Sequence, residues 1–247
     1  MSESTFKIRE RTVILFGPVN SIVQTLATVL QEHGADIAFL DQRASESQRF
    51  VANLMDMRQI HNTYGRAAAI DCDIKSPADA KEALSRAAEL FGSVDILIDA
   101  NFGQYDLSVD KNPTQLITDE AIEFFVGRGK GRNIYLTYDD VILKHVKDDK
   151  KIKNNKKLLE FAVSKSHELS NKQITTNVIS LPFTDEFMLN YYKNKKIQEA
   201  MNEISKDWPE ARLVQPIDIA YTVAFLASPI SVAIDGQWIH ACYGLNN

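Results

Sequence analysis

Short apolar runs alternate along the chain with stretches in which apolar residues return every three or four positions. Thr12–Phe16 (TVILF) is a run of the first kind, ends at Gly17, and predicts a buried strand. Ile22, Leu26, Val29 and Leu30 then share one helical face, closed by His33 and Gly34. Asp36–Leu40 predicts a second buried strand ending at Asp41, followed by a helix from about Ser45 to His61 with Phe50, Leu54 and Met57 inward. Ala67–Ile70 predicts a third strand. Beyond it Ser76 caps a helix with Pro77 in its first position and with Ala80, Leu84, Ala87 and Leu90 inward. Val94–Ile98, Asn133–Thr137, Thr175–Ser180 and Gln237–Ala241 predict four more strands. Helices are expected over Thr118–Val126, Asn154–Ser170 and Pro216–Ala227.

This alternation predicts an α/β protein with a doubly wound parallel sheet. No linker or internal repeat divides it, so residues 1–247 read as a single domain. Ligands of such sheets sit beyond the carboxyl ends of the strands. Gly17, Asp41, Asp73, Asp99 and Tyr138 all stand at strand ends and should share that edge.

Composition narrows the classes. Apolar residues make up 45% and charged residues 25% of the chain, which excludes wholesale disorder. A net charge of −5 gives no reason to expect a nucleic-acid partner. Cys72 and Cys242 are far apart and lack histidines at ligand spacing, so neither a metal site nor a disulfide is expected. Apolar runs fall short of the roughly 18 residues of a membrane span. Residues 1–11 do not have the apolar centre of a secretory signal, and the expected compartment is the cytoplasm.

Several segments, in order, resemble the short-chain dehydrogenase/reductase family over nearly the whole chain. LFGPVNSIV stands where that family has its Thr-Gly-x-x-x-Gly-x-Gly turn, and Cys72-Asp73-Ile74 where it has an adenine-contacting pair. VDILIDANFG resembles its fourth strand and Asn-Asn-Ala-Gly edge. Phe161-Ala-Val-Ser-Lys165 resembles its Tyr-x-x-x-Lys helix, and Asn177-Val-Ile-Ser-Leu-Pro182 its Asn-Val-x-x-Pro-Gly segment. Pro216–Ser228 and Asp235-Gly236-Gln237 are similar to its last helix and the lead into its last strand.

The resemblance implies a Rossmann-type fold and a dinucleotide cleft lined by Gly17, Ser21, Ile22, Asp41, Asp73, Ile74 and Lys165. A carboxylate at Asp41 would accept the ribose hydroxyls and repel a 2′-phosphate, favouring NAD; a turn or cap role for Asp41 is the other reading. Val23 replaces the motif's last glycine, and crowding of that kind costs roughly 1–3 kcal/mol. NAD or no cofactor at all are therefore both open.

The catalytic positions depart further. The resemblance puts the family's lysine at Lys165 and its acid/base tyrosine at Phe161, a ring with no proton to exchange. Phe102 stands where the family has a glycine beside the nicotinamide. The stretch from Gly103 to Gly131 is short, so the first turns of a helix and the family's catalytic asparagine are expected to be missing. These departures lead to the expectation of a non-catalytic pseudoenzyme, with a nucleotide-sensing, binding or oligomerisation role. The alternative is an NAD-dependent oxidoreductase with a displaced acid/base residue, for which Tyr138 is the candidate, paired with Lys165.

Lys144–Lys157 carries seven lysines against Asp148 and Asp149 and reads as a solvated loop, or else as an attractor of an acidic or phosphate-bearing ligand. A helical excursion over Asp185–Lys206 is expected to form a substrate lid. The expected partners are a dinucleotide or small molecule and further copies of the chain, as a dimer or tetramer through Pro216–Asn247, without nucleic acid or membrane.

Overall fold

The apolar runs become seven strands: β1 (Thr12–Phe16), β2 (Asp36–Asp41), β3 (Ala67–Asp71), β4 (Ile96–Asp99), β5 (Gly131–Tyr138), β6 (Ile174–Leu181) and β7 (Trp238–His240). In the computed structural model, which describes residues 6–41, 44–61, 65–73, 76–110, 112–182, 206 and 214–242, they form one sheet. Its order is β3-β2-β1-β4-β5-β6-β7, and every pairing is parallel. This is the doubly wound, Rossmann-type arrangement. The order reverses between β1 and β4, which opens a crevice above their carboxyl ends.

The helices are α1 (Ser21–Glu32), α2 (Ala44–His61), α3 (Pro77–Phe91), α4 (Pro113–Arg128), α5 (Asp140–His145), α6 (Asp149–Leu169) and α7 (Pro216–Ala227). One face of the sheet is covered by α1 and α7, where Val23, Leu26, Val223 and Leu226 join the apolar cluster of Leu15, Ile98 and Leu136. The opposite face carries α3 and α4, with Leu84, Ala87, Ile117 and Phe125 against Ile14 and Leu97. On that same face Leu158 and Ala162 of α6 pack against Tyr135 and Val178. Burial of this continuous apolar surface on both sides drives the fold.

Several elements differ from the sequence reading. The lysine-rich stretch is no loop. It comprises the end of α5, a short turn and the first turns of α6. Two aspartates explain this: Asp139 Oδ1 accepts from Val141 N at 3.0 Å, and Asp148 Oδ1 accepts from Lys151 N at 3.1 Å. Each satisfies an orphan amide at a helix start, which outweighs the weak apolar patterning. Helix α4 starts earlier than the sequence pattern has it. It begins at Pro113, because Asn112 Oδ1 accepts from Gln115 N at 3.1 Å. Met57 and Leu90, expected inward, are 46% and 47% exposed. The lid expected over Asp185–Lys206 lies, but for Lys206 itself, outside the described residues, as does Ile74. Among the described residues no helix is long and apolar enough to cross a membrane.

Candidate active site

The crevice starts at Gly17, the first residue beyond β1. Its φ of +131° is a left-handed conformation, and a Cβ there would lie 2.9 Å from the Ala100 carbonyl. Only glycine allows the β1–α1 turn to pass so close to the end of β4. Asn20 then caps α1, its Oδ1 accepting from Val23 N at 3.0 Å. The amides of Ser21 and Ile22 lie in the first helical turn, where backbone donors and the helix dipole favour an anion. Val23 is 1% exposed and packs into the apolar cluster between α1 and the sheet. Its branched side chain fills the helix–sheet interface, so it does not project into the crevice.

Asp41 stands at the end of β2, partly exposed, and Asp73 is exposed beyond β3. The turn at Gly17, the α1 amides and a carboxylate at each of two neighbouring strand ends fit the phosphates, ribose and adenine of a dinucleotide. Phe102 has φ +53°, a costly conformation for a large side chain. Its ring is buried and stacks on Tyr138 with centroids 5.1 Å apart and planes at 20°.

A small recess is lined by Asp99, Gly103, Tyr105, Leu107, Thr114, Tyr135, Leu136 and Leu158. Burial pushes the Asp99 carboxyl above its ordinary range. Three donors oppose that shift: Thr114 Oγ1 at 2.6 Å on one oxygen, and Asn101 N and Nδ2 at 2.9 and 2.8 Å on the other. Tyr105 is pushed up to about 12, first by burial and then by the charges of Asp99 and Asp41.

Tyr138 ends β5, at the edge the strand pattern predicts, and is 9% exposed. The structure does not bring Lys165 to it. Lys165 Nζ pairs with Asp119 of α4 at 3.0 Å and with Glu168 at 3.2 Å. Burial lowers its pKa, but these two carboxylates outweigh that and raise it. Phe161 likewise packs low on α6, its ring centroid 6.1 Å from that of Tyr135, which points to the opposite face from Tyr138. The reason is helical rise. At about 1.5 Å per residue, Lys165 lies roughly 20 Å along α6 from the residues that meet the end of β5.

Those residues are Lys151 and Asn155, which repeat the four-residue spacing of the motif ten positions earlier. Lys151 Nζ lies 5.3 Å from the centroid of the Tyr138 ring. Burial lowers its pKa, and Asp148 partly restores it. Asn155, 1% exposed, donates from Nδ2 to the Tyr138 carbonyl and to Asp140 Oδ1, both at 2.7 Å, and accepts from Thr137 Oγ1. Asn154 Nδ2 donates to the Gly103 carbonyl at 3.1 Å, tying the loop after β4 to α6. Sequence reasoning missed Lys151 and Asn155. The signal was the Asp148 cap, which starts the helix early and brings its first turns to the sheet edge.

The sequence matches a family described as enoyl-(acyl carrier protein) reductase, in two overlapping stretches over residues 17–110 and 107–246. It is 24% identical to the hydroxynaphthalene reductase-like protein Arp2 of Metarhizium anisopliae (strain ARSEF 549), over 96% of this chain and 95% of that protein. It is 22% identical to 3-oxoacyl-[acyl-carrier-protein] reductase FabG of Rickettsia conorii, over 95% of this chain and 96% of that one. The crystal structure of an actinorhodin polyketide ketoreductase with NADPH superposes with a TM-score of 0.73 at 19% identity, covering 96% of this chain and 97% of its own. Proteins bearing reductase names thus match this chain from end to end, and that finding overturns the expectation of a non-catalytic pseudoenzyme. The expectation rested on Phe161 together with Phe102, Val23 and the short stretch from Gly103 to Gly131, and Phe161 lies well down α6 from the strand ends. The chain belongs to the short-chain dehydrogenase/reductase family.

Proposed function

We propose that the protein is an NAD(P)-dependent oxidoreductase interconverting a carbonyl and an alcohol, with Tyr138 as its acid/base residue and Lys151 as the cation beside it. The observation that carries this reading is the Lys151 ammonium set 5.3 Å over the Tyr138 ring at the carboxyl end of β5. The names of the two reductase relatives support the reaction class.

The nicotinamide, when bound, supplies or takes up the hydride equivalent. The chain's own residues bind and orient. Gly17 leaves room for the pyrophosphate, and the amides of Ser21 and Ile22 meet its charge. Asp41 and Asp73 hold the ribose and adenine end. Asp41 favours NAD over NADP, because a carboxylate repels a 2′-phosphate. Tyr138 gives its phenolic proton to the substrate oxygen in the reducing direction and takes it back in the other. The ammonium of Lys151 opposes the negative charge that gathers on that oxygen pair. Asn155 fixes the Tyr138 backbone and thereby the ring's position.

Lys165, placed by its ion pairs far down α6, has no part in this reading. The exposed Ile217, Tyr221, Ile230 and Val232, on α7 and the turn after it, support self-association through the Pro216–Asn247 segment.

The test is turnover of a carbonyl and alcohol panel with each of NAD, NADH, NADP and NADPH, beside thermal-shift titrations with the same four. Activity should fall about 10²–10⁴-fold in Tyr138→Phe while cofactor binding stays unchanged. Equal activity in the variant would remove Tyr138 from the mechanism, and absence of turnover and binding together would remove the reductase reading.

A further inference from the structure

The chain leaves β4 through a tight reversal. Phe102 and Gly103 have positive φ, +53° and +66°, and Gln104 N donates to the Asn101 carbonyl at 3.1 Å to close the turn. Asn101 Nδ2 reaches the Phe16 carbonyl at 3.5 Å, so the reversal rests against the end of β1. Two ties then hold the returning chain to α6: Asn154 Nδ2 donates to the Gly103 carbonyl at 3.1 Å, and Lys157 Nζ to Asp106 Oδ1 at 2.7 Å. Tyr105 stands between those ties, half-buried, and lines the small recess with Asp99 of β4 and Thr114 of α4.

Asp99 ends β4 and Asp41 ends β2, and β1 with its Gly17 turn runs between them. Burial pushes the Tyr105 phenol up to about 12, and the charges of Asp99 and Asp41 add to the shift. A group that borders the end of β4 and also feels the end of β2 stands over β1, where the crevice opens. Among the described residues the Tyr105 hydroxyl makes no hydrogen bond. Asp99 does not claim its proton, because Thr114 Oγ1, Asn101 N and Asn101 Nδ2 already donate to that carboxylate. The phenol is protonated at neutral pH and is therefore a free donor. With two carboxylates near it, an anionic acceptor is disfavoured and a neutral oxygen is favoured. A sugar hydroxyl is such an oxygen, and it donates as well as accepts. Its own proton suits Asp41, which can only accept when ionised.

We propose that Tyr105 is a cofactor-binding residue whose hydroxyl donates to a hydroxyl oxygen of the adenosine ribose, on the side opposite Asp41. This rests on the reading of the crevice as a dinucleotide site and is independent of the acid/base role of Tyr138. A donor placed for a sugar hydroxyl discriminates against the analogue that lacks it, because the half-buried phenol is then left without its partner.

The experiment uses Tyr105→Phe, which removes one oxygen and no hydrogen bond within the described chain, so the melting temperature without ligand should stay the same. Isothermal titration calorimetry measures NADH, ADP and 2′,3′-dideoxy-ADP on the wild type and the variant. The last keeps the base and the diphosphate and lacks the ribose hydroxyls. The Kd for NADH and for ADP should rise about three- to tenfold in the variant, and that for the dideoxy compound should stay unchanged. Unchanged affinity for NADH and ADP, or an equal loss for ADP and its dideoxy analogue, overturns the assignment of Tyr105 and leaves the dinucleotide site standing. Wild-type protein that binds neither NADH nor ADP overturns both. A selective loss in the variant, with no turnover of a carbonyl panel by the wild type, leaves Tyr105 standing and counts against the oxidoreductase reading instead.

Discussion

Exchange of Lys151 for methionine removes the ammonium and keeps a chain of similar length. With a unit charge developing near the Tyr138 ring, taken at the 5.3 Å centroid distance, Coulomb's law at an effective dielectric of about 20 gives roughly 3 kcal/mol. That is an upper figure, because the Lys151 side chain retains 21% exposure and water screens part of the field. The corresponding loss in kcat is up to about a hundredfold. Lys165→Met is the control. Its partners Asp119 and Glu168 are 60% and 57% exposed, and such surface pairs contribute about 0.2–1 kcal/mol to stability. At roughly 20 Å from the reacting end of α6 its charge is screened at physiological salt. Steady-state kinetics at pH 7 with a saturating cofactor should therefore show a large fall in kcat for Lys151→Met and none for Lys165→Met. The melting temperature of both variants serves as the check on folding. Full activity in Lys151→Met with a lost kcat in Lys165→Met would refute the placement of the site at the start of α6.

Asn155→Ala should destabilise the protein by about 2–3 kcal/mol in urea denaturation, since it orphans the Tyr138 carbonyl, Asp140 and Thr137 together; a loss below about 0.5 kcal/mol would contradict the network. Gly17→Ala sets a Cβ 2.9 Å from the Ala100 carbonyl at a left-handed φ and should cost about 1–3 kcal/mol, with NADH no longer raising the melting temperature. The pKa of Lys151 is lowered in the folded state by burial, so the unfolded chain holds that proton to higher pH. The stability linked to it is present above the unfolded lysine value of about 10.5 and is lost as pH falls through the folded value. Denaturation midpoints measured from neutral to alkaline pH should rise less steeply in Lys151→Met than in the wild type; identical slopes would show that the amine is not desolvated.

The strands were legible because each is an apolar run bounded by glycine or a polar residue, and their order followed from the strict alternation with helices. The start of α6 was not legible. Lys150, Lys151, Lys153, Lys156 and Lys157 look like a solvated loop, and the decisive contacts, Asp139 and Asp148 on backbone amides, carry no apolar signature. With the helix start set at about Asn154, five residues late, its first turn was missed and the motif was matched further along, at Phe161 and Lys165. They lie in the middle and lower part of a helix of 21 residues, whereas the first turns alone reach the carboxyl edge of the sheet. Val23 was left between pressing on the sheet and crowding a cofactor for a related reason. Spacing within a motif does not say which way a side chain turns, and Val23 turns into the core. The tie from Asp139 to His240 spans 101 residues and has no local pattern at all.

The capped start of α6 carries a further consequence. A helix amino terminus already bears partial positive charge, and Lys150, Lys151 and Lys153 add to it within the first turns, relieved only in part by Asp148 and Asp149. Mobile anions lessen that repulsion. Ionic strength should therefore firm up this corner of the molecule even as it weakens surface ion pairs elsewhere, so the part that holds Tyr138 in place responds to salt with the opposite sign to Lys165 and its partners.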